Sequence, residues 1–375
     1  MTSKSPKPDR RPDVGKASWR PIGVTIASLV LAGCGEPGPV GGIDDPGDDL
    51  ICNLDINLLV TQVAPDAIPS LLQPDMVTIG APGSEYVLDS DRVLGVIVDG
   101  QPRAYPHAIL DHHEIVSDRV GDTWLTITFC PLTGSGLVVD PNLGGERLDV
   151  GVSGLLFANN LVYYDRTTGD VYGPQLAIEG ACGRFRDQSL MLLPLVETTW
   201  GRWRVLHPNT TLVSSNTGFN RNYRQSPYQA YKQNDDLLFD MPVDDSRPIK
   251  ERVLAIRLSQ SGGLGYPFSE LSANLGDRGA LNEIVDGEPT AVFYEADGGG
   301  SAIAFRAAVE SQSLTFDALP DGFWTDRETG SRWTLDGRAV AGTLAGEQLE
   351  IRDDAFVVYW FAWRHFQPDA EVWTG

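Results

Sequence analysis

Val93-Leu94-Gly95-Val96, leading to Tyr105-Pro106, returns later in the chain as Val253-Leu254-Ala255-Ile256, leading to Tyr266-Pro267. A short apolar run bounded by turn residues reads as a buried strand, and its return about 160 residues on predicts two like units. Further markers keep the same order. His113-Glu114-Ile115-Val116 matches Asn282-Glu283-Ile284-Val285, and Tyr164-Asp165-Arg166-Thr167-Thr168-Gly169 matches Thr325-Asp326-Arg327-Glu328-Thr329-Gly330. Trp200-Gly201-Arg202-Trp203, ending in His207-Pro208, matches Trp360-Phe361-Ala362-Trp363, ending in Gln367-Pro368. Two copies of this length predict two domains rather than a solenoid.

Within a copy the pattern is mostly strand. Val93 to Val98 is a buried run, Trp124 to Phe129 alternates as a half-buried strand does, and Leu137-Val138-Val139 and Leu161-Val162-Tyr163-Tyr164 follow. The two Asp-Arg segments read as hairpin loops with glycine where the strand resumes, which explains Asp165 and Arg166 better than a catalytic pair does. Tryptophans three apart, Trp200 with Trp203 and Trp360 with Trp363, share one helical face and predict core packing at the end of a barrel or sandwich. The expected fold is mainly β, a β-rich α+β class, with two duplicated barrel- or sandwich-like domains and short terminal helices. Ser214 to Arg252 is polar, carries Pro227, Pro242 and Pro248, and reads as an ordered connection with a boundary near Asp244 to Lys250.

The amino terminus reads as an export signal. Basic residues up to Arg20 precede a short apolar run from Ile22 to Val30, too short for a stable membrane span, which ends in Leu31-Ala32-Gly33-Cys34. This ending resembles the bacterial lipobox, which implies diacylation of Cys34 and anchoring by lipid chains. Gly35 after the cysteine implies, by the same resemblance, the outer membrane where the cell has one. The expected division is 1–33 signal peptide, 34–50 flexible acidic tether, 51–243 first repeat domain with the connecting segment, and 244–375 second repeat domain.

The 375 residues carry a net charge of −22, and the six basic and two acidic residues before Cys34 leave the rest at −26. A surface this acidic repels phosphate backbones and anionic headgroups, so nucleic acid is excluded as a partner and membrane attachment falls to the lipid anchor. Protein partners are not legible. Outside the cytoplasm, thiols are oxidised or metal-bound. With Cys34 lipidated, three cysteines remain: Cys52 and Cys182, beside turn-like sequence, are the expected disulfide, and Cys130 is left free. Pairing of Cys130 with either of them is the competing arrangement.

Ala67-Ile68-Pro69-Ser70-Leu71, Arg103-Ala104-Tyr105-Pro106, His113-Glu114-Ile115-Val116, Phe129-Cys130-Pro131-Leu132, Gly151-Val152-Ser153-Gly154-Leu155-Leu156, Tyr164-Asp165-Arg166, Ser226-Pro227-Tyr228 and Lys250-Glu251-Arg252-Val253-Leu254 follow one another along the chain. In these motifs and their order the chain resembles the domain of unknown function 3179 family, many of whose bacterial and archaeal members carry export signals. The resemblance implies no established activity. The family's usual central motif is Cys-Pro-Leu-Cys-Gly-Thr; here the second cysteine is Thr133, Ser135 stands at or next to the threonine, and His112 replaces a tryptophan. A reversible Cys-x-x-Cys disulfide is therefore impossible in this chain.

The densest reactive chemistry is His112-His113-Glu114 with Cys130. Three readings apply. A thiolate and imidazole, with Glu114, His112 or His107 as further ligands, would suit Cu or Zn. His113 would alternatively activate Cys130 as a nucleophile. In the third reading His113 crosslinks a loop and Cys130 is a small buried apolar residue. The matched segments put Asn282 in place of His113 and Glu295 in place of Cys130, the joint loss expected of a site needed once per chain. His113-Glu114 lacks the second histidine of a zinc-protease helix, Gly151-Val152-Ser153-Gly154 lacks the spacing of a nucleophile elbow, and Gly298-Gly299-Gly300 lacks a phosphate-loop lysine. The expectation is a lipid-anchored cell-envelope protein with one metal or thiol site in its first repeat, against a non-catalytic envelope binding or scaffold module whose site is vestigial.

Overall fold

The computed structural model describes residues 52–259 and 262–375. The leader, Cys34 and the tether fall outside the described residues.

After two short edge strands, Leu59–Thr61 and Leu71–Leu72, that join the later meanders, the first half runs through a short strand β1 (Met76–Thr78), then the hairpin β2 (Arg92–Val98) and β3 (Gln101–Pro106) and the helix α1 (His107–His113). A meander follows, β4 (Ile115–Val120), β5 (Thr123–Cys130) and β6 (Ser135–Val139), and then a second, β7 (Val150–Phe157), β8 (Asn160–Asp165) and β9 (Val171–Pro174). It closes with β10 (Val196–Thr199), α2 (Trp200–Leu206) and β11 (Thr211–Val213). The connection contributes one turn of helix, α3 (Gln229–Lys232).

The second half runs β12 (Arg252–Arg257), β13 (Gly263–Pro267), α4 (Phe268–Leu275), then β14 (Arg278–Val285), β15 (Glu288–Glu295) and β16 (Ser301–Arg306). The small meander β17 (Phe316–Ala318), β18 (Trp324–Asp326), β19 (Arg332–Trp333) and β20 (Ala339–Ala341) precedes β21 (Ala355–Tyr359), α5 (Trp360–Phe366) and β22 (Glu371–Val372). The fold is mainly β, as the apolar alternation predicts.

Four strands keep a common order in one sheet of each half. The first sheet is β10-β2-β3-β11-β1 and its counterpart β21-β12-β13-β22, each with two antiparallel neighbours and then a parallel one, β11 on β3 and β22 on β13. Across the halves, β6 runs beside β21 and β10 beside β16. The Tyr359 N–H donates to the Thr133 carbonyl at 2.8 Å, and the Thr199 hydroxyl donates to Asp297 Oδ2 at 3.0 Å. One apolar cluster takes Tyr105, Phe129 and Trp203 from the first half and Phe293, Phe305 and Trp324 from the second.

The paired tryptophans are core side chains, and glycine makes room for them. A Cβ on Gly95 would lie 2.4 Å from the Trp203 ring, and one on Gly263 would lie 2.4 Å from the Trp363 ring. The two indoles therefore lie directly on strand backbone, a close approach that a larger residue would forbid.

The hairpin turns set the register between the halves and correct one sequence match. Val120 pairs with Thr123 at the first turn and Val285 with Glu288 at the second, so Val120 corresponds to Val285 and Asp118 to Glu283. Chemistry agrees: the Tyr105 hydroxyl donates to Asp118 Oδ2 at 2.6 Å and the Tyr266 hydroxyl to Glu283 Oε2 at 2.5 Å. Asn282 accordingly stands at the place of Ser117, and Arg278 is what stands at the place of His113. Cys130 and Glu295 remain counterparts at the ends of β5 and β15.

Candidate functional site

Pro106 starts α1, and the helix ends at Glu114, whose φ of 57° turns the chain into β4. The Glu114 N–H closes the helix on the Leu110 carbonyl at 2.8 Å, and its carbonyl accepts from the Phe129 N–H at 2.7 Å. A non-glycine residue in this region carries strain of order 1–3 kcal/mol, held here by bonds on both sides.

That turn delivers His113 into a fully buried position. Its Nδ1 lies 2.6 Å from the Pro69 carbonyl and its Nε2 lies 2.7 Å from the Tyr223 hydroxyl. A carbonyl only accepts, which assigns the ring proton to Nδ1 and makes Nε2 the acceptor from tyrosine. Burial pushes His113 down to about 4, against the Pro69 bond, so the ring is neutral at ordinary pH. His112 Nε2 meets the Gln225 carbonyl at 3.0 Å. Glu114 accepts from the Tyr228 hydroxyl at 3.1 Å, and burial raises its carboxyl to about 7.

Cys130 points elsewhere. Along β5, Leu125, Ile127 and Phe129 face the large core shared by the halves, while Cys130 lies in a second cluster with Leu161 and Tyr163 of β8. Its sulfur accepts from the Leu161 N–H at 3.4 Å, and its thiol donates to the Asn159 carbonyl at 3.6 Å. Burial first, then the nearby Glu114 charge, pushes the thiol up. The side chain is 1% exposed. Cys130 therefore rests as a protonated thiol, the opposite of an activated nucleophile.

Thr133, standing where the resemblance places a second cysteine, belongs to a buried polar network. Its hydroxyl pairs with Ser135 at 2.8 Å and accepts from Asn160 Nδ2 at 3.1 Å. Gln175 accepts from Ser135 at 2.8 Å and donates to Thr128 at 3.0 Å, and Tyr163 donates to Thr128 at 2.7 Å. Each polar group has a partner, which is what makes such a network rigid rather than costly.

The connection between the halves is laid over this region as a strap. Tyr223 reaches His113, Gln225 reaches His112, Tyr228 reaches Glu114, and the Tyr231 hydroxyl donates to the Leu132 carbonyl at 2.8 Å. Lys232 grips the Asp111 carboxylate at 2.6 Å, and Asn159 exchanges two bonds with the Phe239 backbone. Lys250 Nζ ties the strap to itself through the carbonyls of Tyr231, Asn234 and Asp236, at 2.7 to 2.8 Å. Sequence reasoning saw an ordered polar connection and missed these anchors; the tyrosines spaced along it were the available signal.

The expected metal set does not assemble. His112, His113, Glu114 and Cys130 each have hydrogen-bond partners of their own, and His113 and Cys130 do not bond to each other. Among the described residues, no group of three or more His, Cys, Asp or Glu side chains is disposed to hold a metal ion. Cys52 and Cys182 form a disulfide, leaving Cys130 as the free cysteine among the described residues. Asp165 accepts from the Asp149 and Thr167 N–H groups at 3.0 and 3.3 Å, which is turn chemistry.

A mainly β protein whose two halves share the order of four strands in one sheet, strapped across a buried His-Glu-Cys segment, is the class that fold and site define. The family model for proteins of unknown function DUF3179 matches residues 65–370, and the chain belongs to that family. No curated protein and no solved structure matches it.

Proposed function

We propose that the chain is a non-catalytic binding or scaffold module of the cell envelope, held at the membrane by lipid on Cys34, with two halves that arose by duplication. The protonated, buried Cys130 thiol is the observation that carries this reading: it has neither the exposure nor the neighbouring cation that a thiol nucleophile or a thiolate ligand needs. His113 supports it, since both ring nitrogens are committed to crosslinking the Pro69 loop and the strap. The common sheet order supports the duplication. In this reading His112, His113 and Glu114 are strap anchors, the third of the readings the sequence allowed.

The test is thiol and metal chemistry on the folded protein. Cys130 is expected to stay unmodified by a mild thiol reagent until denaturant is added, and protein purified under reducing conditions is expected to hold no stoichiometric Cu or Zn. One metal per chain, lost in both Cys130→Ser and His113→Ala, would overturn the reading. For the anchor, Cys34→Ala is expected to move the protein from the membrane to the soluble fraction.

A further inference from the structure

Residues 52–63 form a clasp over the outer edge of β7. Cys52 is joined to Cys182, 130 residues away, by the disulfide, and the Asn53 N–H donates to the Ala181 carbonyl at 2.8 Å. The strand Leu59–Thr61 pairs antiparallel with Leu155 to Phe157 and is the edge of its sheet, and the Ala158 N–H donates to the Leu58 carbonyl at 3.0 Å. The Gln62 N–H donates to the Gly154 carbonyl at 2.9 Å. A Cβ on Gly154 would lie 2.1 Å from the Val63 carbonyl oxygen, so the clasp ends on bare backbone.

The side chains hold this clasp weakly. Leu54, Leu58 and Leu59 are half-buried against Leu155, Phe157 and Cys182, and the large core shared by the halves takes none of the described side chains of residues 52–63. Firm anchorage begins at Asp66, whose carboxylate takes the Arg166 guanidinium at 2.6 and 2.8 Å. A segment held by edge bonds and half-buried side chains opens at low cost, and here a covalent link keeps it docked. Cys52 is the half-buried end of that link, and Cys182, 1% exposed, is the sealed end.

We infer that the Cys52–Cys182 disulfide is a redox-sensitive catch: a dithiol reductant frees residues 52–63 from β7 and leaves the two halves folded. A thiolate of the reductant attacks sulfur at Cys52, the less buried cysteine, and the Cys182 sulfur leaves as a thiolate and takes a proton. The reductant's second thiol then breaks the mixed disulfide. The reductant ends as a disulfide and both cysteines as thiols, two electrons and two protons having passed to the protein. Release opens the backbone edge at Leu155 to Phe157 and adds the length of the freed segment, roughly 40 Å when extended, to the chain ahead of the folded body. The catch goes beyond the binding-module reading, and only the gain in reach rests on the Cys34 anchor.

The test is hydrogen exchange, read by mass spectrometry, on the full chain before and after treatment with dithiothreitol at neutral pH, with reduction verified by counting thiols in denaturant. Reduction is expected to speed exchange at residues 52–63 and at Leu155 to Ala158 by about tenfold or more, while β2, β12 and the helices carrying the paired tryptophans keep their protection. Cys52→Ser, which leaves the buried Cys182 in place, is expected to exchange like the reduced protein and to ignore the reductant. Unchanged exchange at residues 52–63 in fully reduced protein, or protection lost throughout both halves, overturns the proposal. A Cys34→Ala protein that stayed at the membrane would instead strike the anchored reading and leave the catch standing.

Discussion

At the open end of β4–β5 stand His113, Glu114 and Cys130; at the open end of β14–β15 stand Arg278, Gly279 and Glu295. The first set is sealed under the strap and satisfied by neutral hydrogen bonds. The second stays partly wet and is satisfied by charge: Arg278 meets Glu295 at 2.8 Å, and Arg202 of α2 meets the same carboxylate at 3.2 Å. One hairpin frame thus accepts two solutions, and access to water decides which is stable. Charged pairs tolerate a half-exposed place, whereas full burial favours groups that can be neutral.

The contrast is sharpest in its dependence on pH. Glu114 has its carboxyl raised from 4.5 to about 7 by burial, while its counterpart is a glycine with nothing to titrate. The folded state therefore holds a proton that the unfolded chain gives up, so stability is full below about pH 4.5 and falls as pH rises through 7. The loss is on the order of 3 kcal/mol. Chemical unfolding at a series of pH values checks this: Glu114→Gln is expected to flatten the slope between pH 5 and 8, and a slope unchanged in that variant would refute the assignment to Glu114.

Truncating the two basic residues tests the same contrast from the other side. His113→Ala leaves a buried carbonyl and the Tyr223 hydroxyl without their partner, and is expected to cost about 2–3 kcal/mol. Arg278→Ala opens a partly buried pair but leaves Arg202 on the Glu295 carboxylate, and is expected to cost about 1 kcal/mol. Equal losses in urea unfolding would remove the distinction between the two ends.

What the sequence revealed of this frame follows from local physics. Alternation along Trp124 to Phe129 is a property of neighbours in the chain, and it places β5, although Leu125 to Cys130 are buried on both faces rather than half-buried as the alternation predicts. The apolar starts at Val93 and Val253 are visible for the same reason. The slip that set Asn282 against His113 arose because the offset between halves grows from 161 at Tyr105 and Tyr266 to 165 at Val120 and Val285. A shared Glu-Ile-Val spelling hid it. Glu283 is the acceptor of Tyr266, a role that no spelling carries. The strap was invisible for a related reason: Tyr228 and Glu114 are 114 residues apart, and a single side-chain bond leaves no periodicity.

The tyrosine–carboxylate bonds give the smallest effect and the most direct check on the corrected register. Asp118 is 2% exposed and accepts from Tyr105 while pairing with Arg103, so Asp118→Asn breaks a buried charge-assisted contact. A cost of about 2 kcal/mol is expected. Glu283 is half-buried and accepts from Tyr266, so Glu283→Gln is expected to cost about 1 kcal/mol or less. The double mutant with Tyr266→Phe should then add nothing beyond the larger single effect, since both changes delete one bond. Additive losses would mean that Glu283 acts elsewhere, and the register that pairs it with Asp118 would have to be redrawn.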